Sequence, residues 1–265
     1  MRGRNYSLIL GTAVTATVVL LIVIGFFWKP YDPNALQPAM KLAPPSLAHF
    51  MGTDNFGRDI FSRVLAGAGT TLSIATLIVA IGTLVGILAG SVTGYFGGFA
   101  DEILMRLCDT LTAFPSILLA LVIVSFTGPG KGSLVIALGL LFIPSFTRIV
   151  RAEFARQRHL DYVTSARLMG CSHMRIMFVH VLPNTKPVLL SSIAIGFNNA
   201  VLAEASMSFL GLGVQRPDAS LGSMLSDAQA FLLSAPWYML FAGLAISLLI
   251  LGFGLLSEGL RGDAS

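Results

Sequence analysis

Apolar runs of about 20 residues, the length that crosses roughly 30 Å of hydrocarbon, recur along this chain and leave few folds open to it. They fall at Leu8–Trp28, Thr71–Tyr95, Leu104–Phe126, Leu134–Val150, Val188–Leu210 and Trp237–Ser257. In hydrocarbon a backbone must satisfy its own N–H and C=O groups, and runs of this length do so as helices. The expectation is therefore an all-α, polytopic membrane protein with six transmembrane helices. Composition agrees, because 55% of residues are hydrophobic and only 11% charged, where a soluble domain carries about 25% charge. The pI near 9.3 raises the question of nucleic acid, but the basic residues cluster beside apolar runs as orientation signals do, which excludes that class. Cys108 and Cys171 stand far apart without a CxxC or a His-Cys cluster, so neither a disulfide framework nor a structural metal is expected.

Six spans put both termini on one side. With the N-terminus cytoplasmic, the inner positions hold Arg2, Arg4, Arg106, Arg148, Arg151, Arg156, Arg158, Arg167, Arg175, Lys186 and Arg261. Only Lys29, Lys41, Arg58, Arg63, Lys131 and Arg216 fall outside, so the positive-inside rule selects this orientation. The chain then divides into a first helix at 1–28, an external loop at 29–70, a transmembrane core at 71–257 with a cytoplasmic loop at 151–186, and a short cytoplasmic tail at 258–265. The first run is longer than a signal-peptide core and shows no small-x-small cleavage site, so it reads as an uncleaved signal-anchor helix.

Between two strongly apolar blocks lies the polar segment from Asp161 to Pro183. Asp161 is placed to cap a helix over Tyr162–Met169, Gly170 to end it in the left-handed region, Ser172 to cap a second helix and Pro183 to stop it. Val163, Ala166 and Gly170 would then share a smooth face that another protein could approach closely.

These residues carry a resemblance. Ser165-Ala166, Gly170 and Leu182-Pro183, with the proline thirteen positions after the glycine, resemble the cytoplasmic EAA loop of ABC importer permeases. Thr164 stands where Glu is usual, Ser165 replaces an Ala, and His180 stands where Ile is common. Tyr162-Val163, Ala166-Arg167, Arg175-Ile176 and His180 to Asn184 are similar to the dipeptide, oligopeptide and nickel branch. The resemblance implies a type I ABC importer permease fold. It also implies ATPase coupling through Asp161, Tyr162, Val163, Ser165, Ala166, Arg167, Gly170, Arg175, His180, Leu182 and Pro183. The plain alternative is an ordinary basic loop.

Outside the membrane, Pro30, Pro33, Pro38, Pro44 and Pro45 keep the first part of the external loop extended. Thr53, Asp54, Gly57, Arg58 and Asp59 then resemble the GTDxxGRDxxSR signature of the same branch. Thr53 or Asp54 is expected to cap a short amphipathic helix carrying Phe56, Ile60, Phe61 and Val64 at the interface. This region is either an external gate or docking surface for a solute-binding protein, or a structural interfacial helix.

Within the spans, Gly82, Gly86, Gly90 and Gly94 form a small-residue stripe for close helix contact, either for packing or for sliding during transport. Pro115 kinks or breaks the third span, and Asp109 at its inner end faces the interface. The Gly128–Ser133 stretch does not have phosphate-loop spacing and reads as a turn. In the fifth span Glu204 must face protein or water, since a carboxylate in hydrocarbon costs about 2.5–3.5 kcal/mol. The run from Leu202 to Val214 resembles the corresponding helix of the peptide and nickel permeases. Glu204 and Asn199 either line the translocation path or gate, or bond helices together. The last external loop has Leu221 where the family often has Trp.

No Walker A, GxSxG or HExxH motif is present, and His49, His159, His173 and His180 form no ligand set. The chain is not expected to be an enzyme or to bind a cofactor; ATP and Mg belong, by the resemblance, to partner subunits. Those partners are a second homologous permease, two ABC ATPases and an external solute-binding protein, in a bacterial or archaeal plasma (inner) membrane. The implied cargo is dipeptides or oligopeptides, with nickel or a metal chelate second; an intramembrane enzyme or autonomous channel is the remote alternative.

Overall fold

The computed structural model describes residues 2–263, and all regular structure there is helical apart from an isolated antiparallel bridge between Thr53 and Asp59. Helix α1 (Arg2–Phe27) is followed by the extended, proline-broken loop, whose only helical turn is a 3-10 turn at Pro38–Met40.

Helix α2 (Ile60–Phe96) corrects the sequence reading at its start. It is 37 residues long, or about 55 Å, and absorbs the expected interfacial helix into one continuous rod. Neither Thr53 nor Asp54 caps it; the Asp59 carboxylate does, accepting from the Ser62 amide at 2.8 Å. Ile60 and Val64 face the core, so the apolar face that suggested an interfacial helix is the first part of the buried stripe.

The third span is broken. Helices α3 (Gly98–Thr112) and α4 (Ser116–Thr127) meet at 86° around Ala113–Pro115, where the proline lacks an N–H and its ring blocks a continuous turn. Among the described residues, five helices are long and apolar enough to cross a membrane, and the bent pair makes a sixth crossing if counted as one span.

Helix α5 (Lys131–Gln157) is longer than the expected span at both ends and accommodates Pro144 within it. The glycine stripe of α2 lies against it. A Cβ at Gly86 would stand 2.5 Å from Phe146 Cβ, and one at Gly94 2.5 Å from the Arg151 carbonyl oxygen. The packing role of the stripe is thus met by α5. Asp109 does not merely face the interface: Arg148 Nη2 reaches it at 2.8 Å, and Arg151 Nη2 reaches Asp101 at 2.7 Å, so two ion pairs tie α3 to α5.

The polar segment folds as α6 (Asp161–Leu168), α7 (His173–Arg175), a π-turn (Ile176–Val181) and α8 (Leu182–Asn184), leading into α9 (Lys186–Phe209). Two expectations change. Asp161 is the first helical residue rather than the cap, which is Leu160 without a side-chain bond; its charge suits the positive end of the helix. Pro183 does not stop the chain's winding, because in the first turn of α8 its missing N–H would have had no partner anyway. Gly170 does take the left-handed region, at φ +79°, and Ser172 does cap α7, accepting from the Arg175 amide at 3.4 Å.

Sequence reading missed α10 (Leu221–Gln229), a short helix between the last two long helices, opened by a Ser220–Ser223 capping box. Helix α11 (Pro236–Asp263) runs through positions 258–263, so these continue the last helix instead of forming a separate tail. One core joins α1, α2, α4, α5, α9, α10 and α11 across the membrane; a second, smaller one lies under the polar segment.

Candidate functional site

Val163 and Ala166 lie on the inner face of α6, fully or almost fully buried. They pack with Ile176, Met177 and Val181 of the π-turn against Tyr95 of α2 and Val150 and Phe154 of α5. The small-residue face expected to receive another protein is therefore turned into this chain's own core. Small side chains were read as an invitation to a partner, whereas they let a short helix sit close on its own scaffold.

The outward face carries different residues. Leu168, Met169 and Met174 are 85%, 77% and 62% exposed, flanking the Gly170 turn. Asp161, Ser165, Arg167, Gly170, Arg175 and Pro183 are exposed as well, and Tyr162, His180 and Leu182 are half-buried. Three large apolar side chains are thus exposed around one turn of the polar segment, whereas exposed apolar side chains more commonly stand singly. The sequence held part of this signal: Leu168, two positions and about 200° round the helix from the inward-facing Ala166, is directed outward.

The tip is fastened to the bundle. Tyr95 Oη and His173 Nδ1 are 2.9 Å apart, the Arg167 guanidinium lies 6.0 Å from the Tyr95 ring centre, and Tyr162 Oη donates to Gln157 Oε1. These contacts tie the tip to the ends of α2 and α5.

On the opposite side, Thr53, Asp54, Gly57, Arg58 and Asp59 come together, but inside the loop. All five are buried, so they are not a surface on which a binding protein could rest. Asp54 accepts from the Phe56 and Arg58 amides at 2.8 and 2.9 Å and from Arg58 Nε at 2.6 Å. Asp59, besides capping α2, meets His49 Nδ1 at 2.9 Å. Thr53 Oγ1 donates to the Met40 carbonyl. Gly57, at φ +76°, has no room for a side chain: a Cβ would stand 1.8 Å from the Gln37 carbonyl oxygen. The signature builds a folded loop and aims its neighbours. Next to it, Phe56 is flanked by Arg58 and Arg216, whose guanidinium carbons lie 4.7 and 5.5 Å from the ring centre. The Arg216 pKa is raised above its ordinary value, first by its hydrogen bond to Asp227.

Glu204 and Asn199 part company. Glu204 is fully buried and accepts from Thr71 Oγ1 at 2.8 Å and Ser208 Oγ at 2.7 Å. Those hydroxyls in turn accept from the Leu221 amide of α10 at 3.3 Å and the Val214 amide at 3.2 Å. Asn199 is exposed on another face of α9. In this conformation Glu204 bonds helices together, and only Asn199 borders open space.

A family model described as the binding-protein-dependent transport system inner membrane component matches residues 82–261. The chain belongs to that family. This permease is 36% identical to the dipeptide transport system permease protein DppC of Alkalihalophilus pseudofirmus, over 97% of its own length and 85% of the relative's. It is 40% identical to the glutathione transport system permease protein GsiD of Pectobacterium atrosepticum, over 92% of its own length and 82% of the relative's. A chain of the methionine ABC transporter MetNI, solved in inward-facing conformations, superposes with a TM-score of 0.63 at 17% identity, covering 77% of this permease and 96% of that chain. The fold is thus that of a type I ABC importer permease. The permease is a multi-pass inner-membrane transport component and not an enzyme.

Proposed function

We propose that this permease imports dipeptides and short oligopeptides, driven by ATP hydrolysed on partner subunits. The observation that carries the reading is likeness along nearly the whole chain to permeases named for dipeptide and glutathione transport. Those names favour peptides over nickel or a metal chelate.

In this reading the permease pairs with a second homologous permease subunit. Two ABC ATPases, holding ATP and Mg, sit under the pair, and an external solute-binding protein delivers the peptide. The excess of Arg and Lys near the polar segment supports cytoplasmic termini and a cytoplasmic loop at 151–186. The ATPase seats on the tip formed by Leu168, Met169 and Met174, with Asp161, Ser165, Arg167, Gly170 and Arg175 around it. Val163 and Ala166 act from beneath, rooting the tip in the core shared by α2 and α5, while Tyr162, His180, Leu182 and Pro183 carry its movement into α9. The Thr53–Asp59 signature holds the external loop in shape for gating and docking, and Asn199 borders the path that Glu204 braces.

ATP-dependent uptake of a labelled dipeptide into proteoliposomes containing all the subunits and the binding protein tests the substrate, with nickel uptake as the second arm. Dipeptide accumulation that requires ATP is expected; nickel accumulation without dipeptide uptake overturns the substrate assignment.

A further inference from the structure

Helix α1 meets the bundle closely at two places and stands off between them. Toward its start a Cβ at Gly11 would lie 2.5 Å from the Leu256 amide nitrogen of α11, and toward its end one at Gly25 would lie 2.9 Å from Leu65 Cβ of α2. Between these contacts, around positions 18–22, helices α1, α2 and α11 enclose a cavity of about 320 Å3. Since α1 already touches its neighbours on either side, the helices cannot slide together to close it.

Every side chain lining this slot is apolar. Its floor is made by the buried Ile22, Ala68 and Leu249, whereas Leu21, Leu244 and Leu248 at its rim are about half exposed on the outside of the bundle. Along α11 the slot runs from Phe241 to Leu249, about 12 Å. Water would find no hydrogen-bond partner there, and an empty slot forfeits the dispersion contacts of its lining.

A second cavity, of about 650 Å3, lies along the same helix and shares Leu244 with the first. Helical spacing turns Ala245 and Leu248 to one side of Leu244, into the slot, and Leu240 and Ser247 to the other, into this groove. Gly243 keeps the groove open, because a Cβ there would meet only Leu225 Cδ2, at 3.9 Å. Leu244 is thus a ridge between two hollows on the outer surface of the membrane helices.

We propose that the two hollows hold one diacyl phospholipid, with one acyl chain in the slot between α1, α2 and α11, the other in the groove, and Leu244 between them. A single-chain amphiphile fills only one hollow. A protein surface laid on the rim leucines leaves the floor at Ile22, Ala68 and Leu249 uncovered, whereas an acyl chain from the surrounding bilayer has the width and the chemistry to reach it. The lipid fills the seam by which α1 joins the bundle.

The test is native mass spectrometry of the delipidated transporter complex in detergent, titrated with dioleoyl phosphatidylethanolamine or, in a parallel arm, with oleate. Wild type is compared with Ala245→Phe and Ala245→Val, which fill the slot to different extents, and with Leu88→Phe, an exposed position of α2 that lines neither hollow. Wild type and Leu88→Phe are expected to take up one phospholipid per copy of this permease that Ala245→Phe binds about tenfold more weakly, the effect of displacing about two buried methylene groups. Ala245→Val is expected to bind it about threefold more weakly, and wild type to bind oleate at least about tenfold more weakly than the phospholipid. Equal phospholipid binding by wild type and both Ala245 variants means lipid on the outer surface only and overturns the site. Oleate bound as tightly as the phospholipid overturns it too, as does a wild type that takes up no phospholipid. If Ala245→Phe does not assemble, Ala245→Val decides on the same terms, and wild-type affinity in that variant overturns the site.

Discussion

Thr71 of α2 and Glu204 of α9 are joined by a 2.8 Å hydrogen bond between two fully buried side chains 133 positions apart. Through the Leu221 amide on Thr71 and the Val214 amide on Ser208, the same network holds the short helix α10 to the helical core. A buried carboxylate with its donors in place is tolerable, and one that has lost a donor is not.

Thr71→Val is therefore expected to destabilise the permease by about 1–3 kcal/mol, since it leaves an acceptor buried without its donor. Removing both partners, as Thr71→Val with Glu204→Leu, should destabilise less than the sum of the single changes. Thermal unfolding in detergent checks the order; additive losses would mean that the two residues do not act together.

The glycine stripe predicts a contrast within a pair of alanine substitutions. Gly86→Ala should destabilise by about 1–3 kcal/mol because its Cβ would lie 2.5 Å from Phe146 Cβ, an overpacked contact at the α2–α5 seam. Gly132→Ala, whose Cβ meets nothing within 4 Å near the start of α5, should be neutral or stabilising by about 0.5–1 kcal/mol. Size-exclusion profiles after heating separate the two; equal behaviour would deny the close approach.

Two loop aspartates should differ in the same way. Asp54 is buried and bound to Arg58 Nε at 2.6 Å, so Asp54→Ala strands a buried guanidinium and is expected to destabilise by about 3–5 kcal/mol. Asp218 pairs with Lys131 at 2.8 Å, but both side chains are about half exposed, and Asp218→Ala should change stability by less than about 1 kcal/mol. Urea titration of the detergent-solubilised protein orders them; a larger loss for Asp218 would contradict the account.

Much of the fold could be read from the chain because bilayer thickness sets helix length and charge sets loops. The glycine stripe, the Pro115 break, the Gly170 turn and the Ser172 cap follow from local stereochemistry, and each is present. What failed depended on which of two plausible neighbours a face meets. Val163 and Ala166 look alike whether they are covered by a partner or by Tyr95, Val150 and Phe154. Ile60 and Val64 look alike whether a helix lies on the interface or continues into the membrane. Asp59 and Asp54 compete for one cap, and only the path of the preceding loop, fixed by Gly57, decides between them. The sequence leaves the motif around Asp54 open between a gate or docking surface and a structural role, because a polar motif in a loop gives no sign of burial until its arginines find their carboxylates.

The central claim is that the exposed tip of the polar segment, not its small-residue face, seats the ATPase. The direct test is affinity co-purification of the ATPase subunits with this permease bearing Leu168→Glu and Met169→Glu together. The account predicts that the double variant inserts, keeps the monodisperse profile of wild type and loses its ATPases, because both positions are exposed and lie outside the core. Retention of the ATPases at wild-type yield, with ATP-driven uptake intact, would contradict it.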